Sequence, residues 1–347
     1  MLAKLTDAVP SPDRVDGGLS YEPKWDGFRG IVYFDGTDVA IGSRGSKLLT
    51  RYFPELVDVF RAQLPRPCIL DGEIVVRSGR PGAERLDWEL LSQRIHPAES
   101  RVKKLAEETP ASFVAFDLLS LDGASLLDAP FGERRSALEK LLAKARPPLH
   151  LTQTTLDPAV ANAWLNEFEG AGLDGVIAKP RTAPYGPGKR TMFKTTHDRT
   201  ADVVLLGYRV HRSGRGVGSL LLGLYDSDPP TGSGQAAVLR NVGGASAFSN
   251  ARRLALVEEL APLVLRDESG VVVNGATDRS RFSGSKDVSF VALEPTRVIE
   301  VKYDQMVGAR FRHTVQFYRW RNDRDARSCT FEQLERPVAY DLADVFA

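Results

Sequence analysis

Cysteine, net charge and long apolar runs are all scarce in this chain of 347 residues. Its two cysteines, Cys68 and Cys329, lie far apart and form no C-x-x-C pair, which argues against a disulfide framework or a cysteine zinc site and predicts two buried thiols. No apolar run approaches the roughly 18–20 residues that a membrane-spanning helix needs, and residues 1–18 show no apolar secretory core. We therefore expect a cytoplasmic protein with no membrane partner.

The charges are nearly balanced, because lysine and arginine total 46 against 45 aspartate and glutamate residues. The net charge of +1 therefore says nothing about nucleic acid, and any such interaction must come from local clusters. Apolar residues make up 42% and charged residues 26%, which is usual for globular domains and excludes a disordered or fibrous chain. At roughly 100–200 residues per domain, the length predicts two domains.

The first half of the sequence predicts an α+β fold. Two strand-like segments flank an Asp-Gly turn within residues 28–43, which predicts a hairpin. Apolar residues at helical spacing predict a helix over 51–64. Further strands are predicted at 68–76, 112–121 and 174–179, and helices near 85–95, 98–108, 131–145 and 158–170. The elements do not alternate strictly and Gly-x-Gly-x-x-Gly is absent, which argues against a dinucleotide-binding sheet.

The composition changes after residue 180. Residues 180–190 form a loop rich in proline and glycine, 191–196 predict a strand, and the polar step that follows predicts an interdomain hinge near 198–202. Beyond it, short apolar strands are separated by glycine-rich turns, with one helix near 248–262. This pattern is typical of a small β-barrel of the oligonucleotide-binding (OB) kind.

Short charged motifs lie at the ends or edges of the predicted strands. In the first, residues 24–29, a lysine precedes an Asp-Gly turn by two residues and an arginine by five. Lys24 could attack phosphorus as a neutral amine, and Arg29 can supply positive charge that favours the neutral form. The motifs that follow in order are Ser43-Arg44-Gly45, Asp71-Gly72-Glu73, Phe116-Asp117, Asp174 to Lys179, and Phe193-Lys194.

In this order and spacing the motifs resemble those of ATP-dependent DNA ligases, which share the covalent nucleotidyltransferase chemistry of RNA ligases and mRNA capping enzymes. The resemblance covers nearly the whole chain. It implies an adenylation (nucleotidyltransferase) domain of mixed sheets and helices at 1–199 and an OB-fold domain at 200–347. It also implies ATP and Mg²⁺ (or Mn²⁺) as cofactors and nicked duplex DNA as substrate.

The implied chemistry consists of three displacements at phosphorus. Lys24 attacks the α-phosphate of ATP, AMP passes to a 5′-phosphate at a nick, and a 3′-hydroxyl then displaces AMP. Each transition state spreads negative charge over phosphoryl oxygens, so positioned cations and Mg²⁺ should supply most of the catalysis. The catalytic residues that the resemblance implies are Lys24, Asp26, Arg29, Lys179 and Lys194.

The resemblance also implies a nucleotide site and a metal site. Glu73 would accept a hydrogen bond from the ribose, and Phe116, which alternates with Asp117 along its strand, could stack on adenine. Glu22 would lie near adenine, and Asp174 and Glu73 are the implied metal ligands. The full set of nucleotide-binding residues is Glu22, Lys24, Arg29, Arg44, Glu73, Phe116, Lys179, Arg190, Lys194, Arg321 and Arg324.

The chain departs from the family pattern at a few positions. Asp174 stands where glutamate is usual, so the carboxylate extends one methylene less from the backbone. Coordination of the metal through a water molecule could make up this difference. Thr196 replaces the second lysine of the usual Lys-x-Lys, which leaves His197 or Lys189 as substitutes. Residues 321–324 resemble the R-x-D-K motif that orients pyrophosphate, with Arg324 in place of lysine.

Two basic elements of the second domain are candidates for gripping DNA. Residues 310–327 hold six arginines and His313 against two aspartates, interleaved with aromatic residues, and residues 212–216 form a second basic loop. Arginines and aromatics on a β-barrel suit phosphate tracking and base or ribose packing. The predicted DNA-binding residues are Arg212, Arg215, Arg310, Arg312 and Arg319.

Two other functions remain open at this point. One is an RNA ligase or capping guanylyltransferase, which would use the same chemistry. The other is a nucleic-acid-binding protein with a decayed active site, suggested by the missing second lysine. For a ligase, we expect the barrel to swing about the hinge, and we expect a monomer that works with repair or end-joining proteins.

Overall fold

The computed structural model describes residues 1–45, 47–226, 237–277, 288–335 and 337–346. It divides into two units, one formed by Met1–His197 with Pro337–Ala347 and the other by Asp198–Arg336. Both cysteines are free and buried, as predicted. Within the described ranges, no helix is long and apolar enough to cross a membrane.

The first unit is built from two sheets and the helices that cover them. Its strands are β1 Leu2–Thr6, β2 Leu19–Pro23, β3 Phe28–Phe34, β4 Val39–Ser43, β5 Cys68–Ser78, β6 Arg85–Leu86, β7 Ala111–Leu121, β8 Ala124–Ser125, β9 Leu149–Leu151, β10 Val176–Pro180 and β11 Arg190–Thr195. Its helices before the second unit are α1 Pro54–Gln63, α2 Trp88–Gln93, α3 Glu99–Glu108, α4 Phe131–Leu141 and α5 Pro158–Glu167. The predicted helices are confirmed, each somewhat shorter than expected.

The larger sheet has the order β4-β3-β5-β7-β8, with β6 on β5 and β9 on β7. The predicted hairpin is confirmed as β3 and β4, and its turn is closed by Asp35, whose carboxylate accepts from the backbone N–H groups of Thr37 and Asp38. Helix α1 buries its apolar stripe on this sheet, where Phe60 meets Phe113 edge to face with ring centroids 5.1 Å apart.

The smaller sheet has the order β1-β11-β10-β2. Its register aligns Lys194, Ile177 and Glu22 across three neighbouring strands, so these side chains share one face. Lys179, two residues after Ile177, lies on the same face. The sheet therefore carries three charged positions of the predicted site on one surface.

A buried ion pair ties α4 to the larger sheet. Arg134 Nε and Nη2 donate to the two carboxylate oxygens of Asp117 at 2.8 and 2.9 Å, and both side chains are at most 1% exposed. Arg134 also donates to the backbone carbonyls of Ala129 and Ala183. The aspartate of the Phe116-Asp117 motif thus anchors the fold, while its neighbour faces the site.

Replacing Asp117 with asparagine should lower the free energy of unfolding by about 3–5 kcal/mol, because it leaves the Arg134 guanidinium buried without its counter-charge. Urea denaturation followed by intrinsic fluorescence measures the loss. The matched control is Glu99→Gln, which breaks the exposed pair with Lys103 and should lower the free energy of unfolding far less. Equal losses in the two variants would contradict the assigned role of the buried pair.

In its described residues, the second unit is a curled sheet covered by one α-helix. Its elements are β12 Arg199–Val210, β13 Val217–Tyr225, β14 Leu239–Ala245, α6 Asn250–Leu260, β15 Asn274–Ala276, β16 Ser289–Ala292, β17 Val298–Tyr303, β18 Met306–Val307, β19 Arg310–Phe311 and β20 Gln316–Trp320. Strand β12 pairs along one edge first with β17 and then with β16, and along the other with β13. The bulge between Leu205 and Gly207 lets it bend, as a strand of a half-closed OB barrel must.

Two predicted boundaries differ from the structure. The predicted hinge at 198–202 falls mostly inside β12, and the units divide between His197 and Asp198. The segment 337–346, which we assigned to the barrel domain, packs on the first unit and ends in helix α7 Leu342–Val345. Leu342 and Val345 are at most 1% exposed there, so burial of apolar side chains draws this segment away from the barrel.

Candidate active site

Lys24 follows β2 directly, and its backbone is clamped to the loop before β10. Its N–H donates to the carbonyl of Gly175 at 2.8 Å, and its carbonyl accepts from the N–H of Asp174 at 3.1 Å. The side chain, 20% exposed, forms an ion pair with the Asp174 carboxylate. Gly175 has a positive φ of +118°, and a Cβ there would lie 2.1 Å from the carbonyl oxygen of Thr195, so only glycine lets the loop lie this close to β11.

Arg29, at the start of β3, is held by a polar cluster. Its Nε donates to Asp71 Oδ1 at 2.8 Å, its Nη2 also contacts Asp71, and its Nη1 donates to the carbonyl of Met1 at 2.8 Å. Tyr185 completes the cluster, because its hydroxyl donates to Asp71 Oδ2 at 2.7 Å and accepts from Arg29 at 3.2 Å. The guanidinium is therefore fixed in orientation before any substrate binds.

Glu73 lies opposite Arg29 in the register of β5 and β3. Its Oε1 accepts from the backbone N–H of Gly27 at 3.2 Å. Burial raises the pKa of the carboxyl to about 8, and the charge of Arg29 only partly opposes this. At neutral pH the group is mostly protonated, which suits a hydrogen bond to a ribose hydroxyl better than direct metal ligation.

Glu73 should make the stability of the protein depend on pH. The pKa of the Glu73 carboxyl is about 8 in the folded protein, against an ordinary value of 4.5. Its contribution to the free energy of unfolding is therefore fully present at low pH and is lost as the pH rises from about 4.5 through 8. Relative to the Glu73→Gln variant, the wild-type protein should lose on the order of 2–3 kcal/mol of unfolding free energy across that range. Urea denaturation of both proteins at several pH values measures this, and a constant difference would refute it.

The predicted adenine contacts form a compact group. The Lys179 amine lies 4.7 Å from the ring centroids of both Phe116 and Phe131 and 2.8 Å from the Glu22 carboxylate. Glu22 and Lys179 are each 3% exposed, whereas Phe116 is half-buried. Burial raises the pKa of Glu22, and the positive charge of Lys179 opposes this rise only in part. The structure thus brings an aromatic ring of the larger sheet together with a carboxylate and an amine of the smaller sheet.

The other predicted residues of the first unit differ in position. Lys194 lies on β11 in register with Ile177. Arg44, after β4, and Arg190, at the start of β11, are exposed. His197, a possible substitute for the missing lysine, instead contacts the Leu165 carbonyl at 2.8 Å and Glu169 at 3.3 Å, so it is engaged elsewhere.

Sequence reasoning missed two residues of the cluster around Arg29. Asp71 was noted only as part of a motif, and Tyr185 was assigned to a loop with no role. Tyr185 lies 114 residues from Asp71 in sequence, and no local pattern could have paired them. The signal available was weak: an aromatic residue in a Pro- and Gly-rich loop.

In the second unit, Arg321 follows β20 and is firmly held. Its Nη1 donates to both carboxylate oxygens of Asp202 at 2.9 and 3.0 Å, and its Nε and Nη2 donate to Asp323 at 2.9 Å. Arg324 lies 3.7 Å from Asp202 and donates to the carbonyl of Ser328. Asp202 therefore gathers both arginines of the predicted pyrophosphate motif.

The predicted DNA-binding arginines lie in two places on the second unit. Arg212 and Arg215 are exposed on the turn between β12 and β13. Arg310 is exposed on β19, Arg312 is half-buried after it, and Arg319 on β20 is paired with Glu300 at 2.6 Å.

Comparison with known proteins identifies the family. An ATP-dependent DNA ligase domain model matches residues 1–195, and an ATP-dependent DNA ligase C-terminal region model matches 213–324. DNA ligase C of Mycobacterium tuberculosis is 52% identical, with 99% of this chain and 96% of that protein covered. The chain belongs to the ATP-dependent DNA ligase family.

Two further relatives of the ligase extend the comparison. The multifunctional non-homologous end joining DNA repair protein LigD of M. tuberculosis is 32% identical over 82% of this chain and 34% of its own length. A solved Lig E DNA ligase superposes with a TM-score of 0.53 at 15% identity, covering 92% of this chain and 98% of that one, which supports the shared fold. The family match sets aside an RNA ligase, a capping enzyme and a decayed binding protein.

One carboxylate of the ligase, that of Asp174, is a candidate ligand for the implied Mg²⁺. In the part of the chain that the structure describes, no three His, Cys, Asp or Glu side chains are grouped closely enough to hold an ion. Mg²⁺ is commonly bound by one or two carboxylates together with substrate phosphates and water, so Asp174 alone fits that pattern. The donor set suits an ion that arrives with the nucleotide.

Proposed function

We propose that Lys24 is the residue that the ligase adenylates with ATP and from which AMP passes to the nick. The observation that supports this most directly is the placement of Lys24. Its backbone is clamped to the Asp174-Gly175 loop, and its amine lies beside the carboxylate of the fourth motif. A lysine whose backbone is fixed in this way can present its amine to an α-phosphate in a defined position.

We further propose that Asp174 binds the Mg²⁺ or Mn²⁺ of the bound nucleotide. The metal would supply neutralisation of the phosphate charge. In the proposed step, the unprotonated Lys24 amine forms an N–P bond to the α-phosphorus while the bond to the leaving pyrophosphate breaks. We propose that Asp26, two residues after Lys24, is catalytic through its position beside the nucleophile.

The remaining charged groups are proposed to hold the nucleotide. Arg29, fixed by Asp71 and Tyr185, would contact phosphate without reorganising, which is how preorganised cations lower a phosphoryl-transfer barrier. Phe116 would stack on adenine, Glu22 and Lys179 would border it, and Glu73 would bind the ribose. Lys194, Arg44 and Arg190 would contact the phosphates.

We propose that the second unit serves two steps. Arg321 and Arg324, gathered by Asp202, would orient pyrophosphate during adenylation. Arg212, Arg215, Arg310, Arg312 and Arg319 would contact the DNA backbone. Mutating such phosphate contacts should weaken binding at all sequences alike and reduce its dependence on salt.

In the cell, we propose a repair role in the cytoplasm, at the nucleoid. The LigD relative is named for non-homologous end joining and DNA repair, which supports this proposal. The ligase would act as a monomer and could work beside repair or end-joining proteins.

A gel assay on a nicked duplex tests the proposed cofactor and substrate. With ATP and Mg²⁺, we expect a 5′-phosphorylated nick to be sealed, and we expect no sealing with NAD or with GTP. Mn²⁺ should replace Mg²⁺, and chelation of the metal should stop the reaction. A 5′-hydroxyl nick is the matched control, because it offers no phosphate to accept AMP. Sealing with NAD alone would refute the proposal.

A further inference from the structure

The segment 337–346, here called the C-terminal segment, docks on the first unit. Tyr340 packs on Phe168 with ring centroids 5.1 Å apart, and Leu342 donates its N–H to the carbonyl of Glu84 at 2.9 Å. Asp341 caps α7 and also accepts from the N–H of Glu84 at 3.2 Å. Backbone and side-chain contacts together fix the register of the segment on the unit.

Gly170 shows how closely the backbone of the segment approaches. A Cβ at this position would lie 1.9 Å from the carbonyl oxygen of Val338 and 2.6 Å from the nitrogen of Tyr340. Only a glycine leaves room for this approach. The surface of the first unit is therefore shaped to receive the segment.

At the end of the C-terminal segment, Phe346 contacts Trp25, the residue that follows Lys24. Phe346 stacks on Trp25 with ring centroids 5.1 Å apart and an interplanar angle of 17°, and on His150 at 3.9 Å and 23°. Burial lowers the pKa of His150 to about 4, so its ring is neutral at pH 7 and stacks as an aromatic ring. Gln153 fastens the end by donating to the carbonyl of Val345 at 3.1 Å.

Trp25 transmits this contact to the active site. It is 7% exposed, and its indole N–H donates to Thr152 Oγ1 at 2.8 Å, so it is held on one side by a hydrogen bond and on another by Phe346. Trp25 is bonded to Lys24, whose backbone is clamped to Gly175. The loop of the nucleophile thus has two anchors, and the C-terminal segment provides part of one of them.

We propose that Phe346 is a positioning residue for adenylation: by holding Trp25, the C-terminal segment keeps the Lys24 amine in line with the α-phosphate of ATP. This inference rests on the proposed role of Lys24. A displacement of about 1 Å at a reacting group can cost roughly a hundredfold in rate, so a small relaxation of the loop is enough to matter. Apart from Glu22 on β2, the proposed nucleotide contacts of the first unit lie outside the strand that leads into Lys24, and we expect them to stay in place.

The test is the Phe346→Ala variant of the full chain, with Tyr340→Ala as the matched control. Tyr340 is an aromatic residue of the same segment that packs on Phe168 instead of Trp25. We expect Phe346→Ala to lower the single-turnover rate of adenylation at saturating ATP by about tenfold or more, with half-saturating ATP changed by less than about twofold. Phe346→Tyr, which keeps the stack, should restore the rate.

Tyr340→Ala should lower the melting temperature yet leave the adenylation rate within about twofold of wild type. Sealing of a nick that already carries AMP should be equally fast in all variants, because that step does not use the free amine. If Phe346→Ala adenylates as fast as wild type, or if Tyr340→Ala is equally slow, the inference is wrong. If wild type itself carries no adenylate on Lys24, the proposed function fails instead. Should Phe346→Ala fold poorly, Phe346→Leu and Phe346→Tyr provide the same comparison.

Discussion

Replacing Lys24 with arginine should abolish the covalent adenylate and reduce nick sealing with ATP by at least about a thousandfold. Arginine keeps the positive charge and can still pair with Asp174, but it stays protonated at accessible pH and cannot attack phosphorus. Incubation with radioactive ATP and Mg²⁺, followed by gel electrophoresis, measures the adenylate. Mass spectrometry of the wild-type peptide that contains residue 24 locates it.

A pre-adenylated nick separates the role of Lys24 from general damage to the site. Its sealing needs no lysine adenylate, so the Lys24→Arg variant should retain it within about tenfold of wild type. Lys4, an exposed lysine on β1, offers the control Lys4→Arg, which should label and seal normally. An adenylate that persists at full level in the Lys24→Arg variant would exclude Lys24 as the nucleophile.

Local patterns in the sequence predicted most elements of the first unit. The hairpin of β3 and β4 follows from alternation about an Asp-Gly turn, and α1 follows from apolar residues at helical spacing. Such signals depend on a few neighbouring residues. The order of the motifs, together with their positions at strand ends, then indicated which strands would meet at the site.

Such local patterns could not predict contacts between residues far apart in the sequence. The C-terminal segment carries only a short apolar pattern, and nothing in residues 337–346 indicates that Phe346 stacks on Trp25, more than 300 residues earlier. Asp117 was quoted in a site motif, yet its partner is the buried Arg134 on a helix. Whether a charged residue serves chemistry or the fold depends on what the tertiary structure places against it.

The same distinction applies to the arginines. Arg29 and Arg44 stand in neighbouring motifs, but Arg29 is bound by Asp71 and Tyr185 while Arg44 is exposed. A guanidinium that is already oriented loses less side-chain entropy when it binds phosphate. We therefore expect Arg29 to matter more for adenylation than Arg44, in agreement with the sequence prediction, which named Arg29 but not Arg44 as catalytic.

Replacing Arg321 with alanine should slow adenylation of Lys24 by about a hundredfold, since a positioned cation on a phosphoryl group typically contributes at least that much. The structure holds Arg321 between Asp202 and Asp323, so its guanidinium is presented in a fixed orientation. If it orients pyrophosphate, its loss affects only the step in which pyrophosphate leaves. Rapid-quench measurement of adenylate formation gives the rate.

Sealing of a pre-adenylated nick by Arg321→Ala should stay within about tenfold of wild type, because no pyrophosphate is released in that step. Arg240 on β14, which forms an exposed ion pair with Asp226, provides a control of equal charge. The Arg240→Ala variant should change neither rate by more than about twofold. Equal losses in adenylation and in sealing would instead mean that Arg321 acts in DNA binding or in the stability of the barrel. That result would remove Arg321 from the pyrophosphate step and leave its contacts with Asp202 and Asp323 as a structural feature of the second unit.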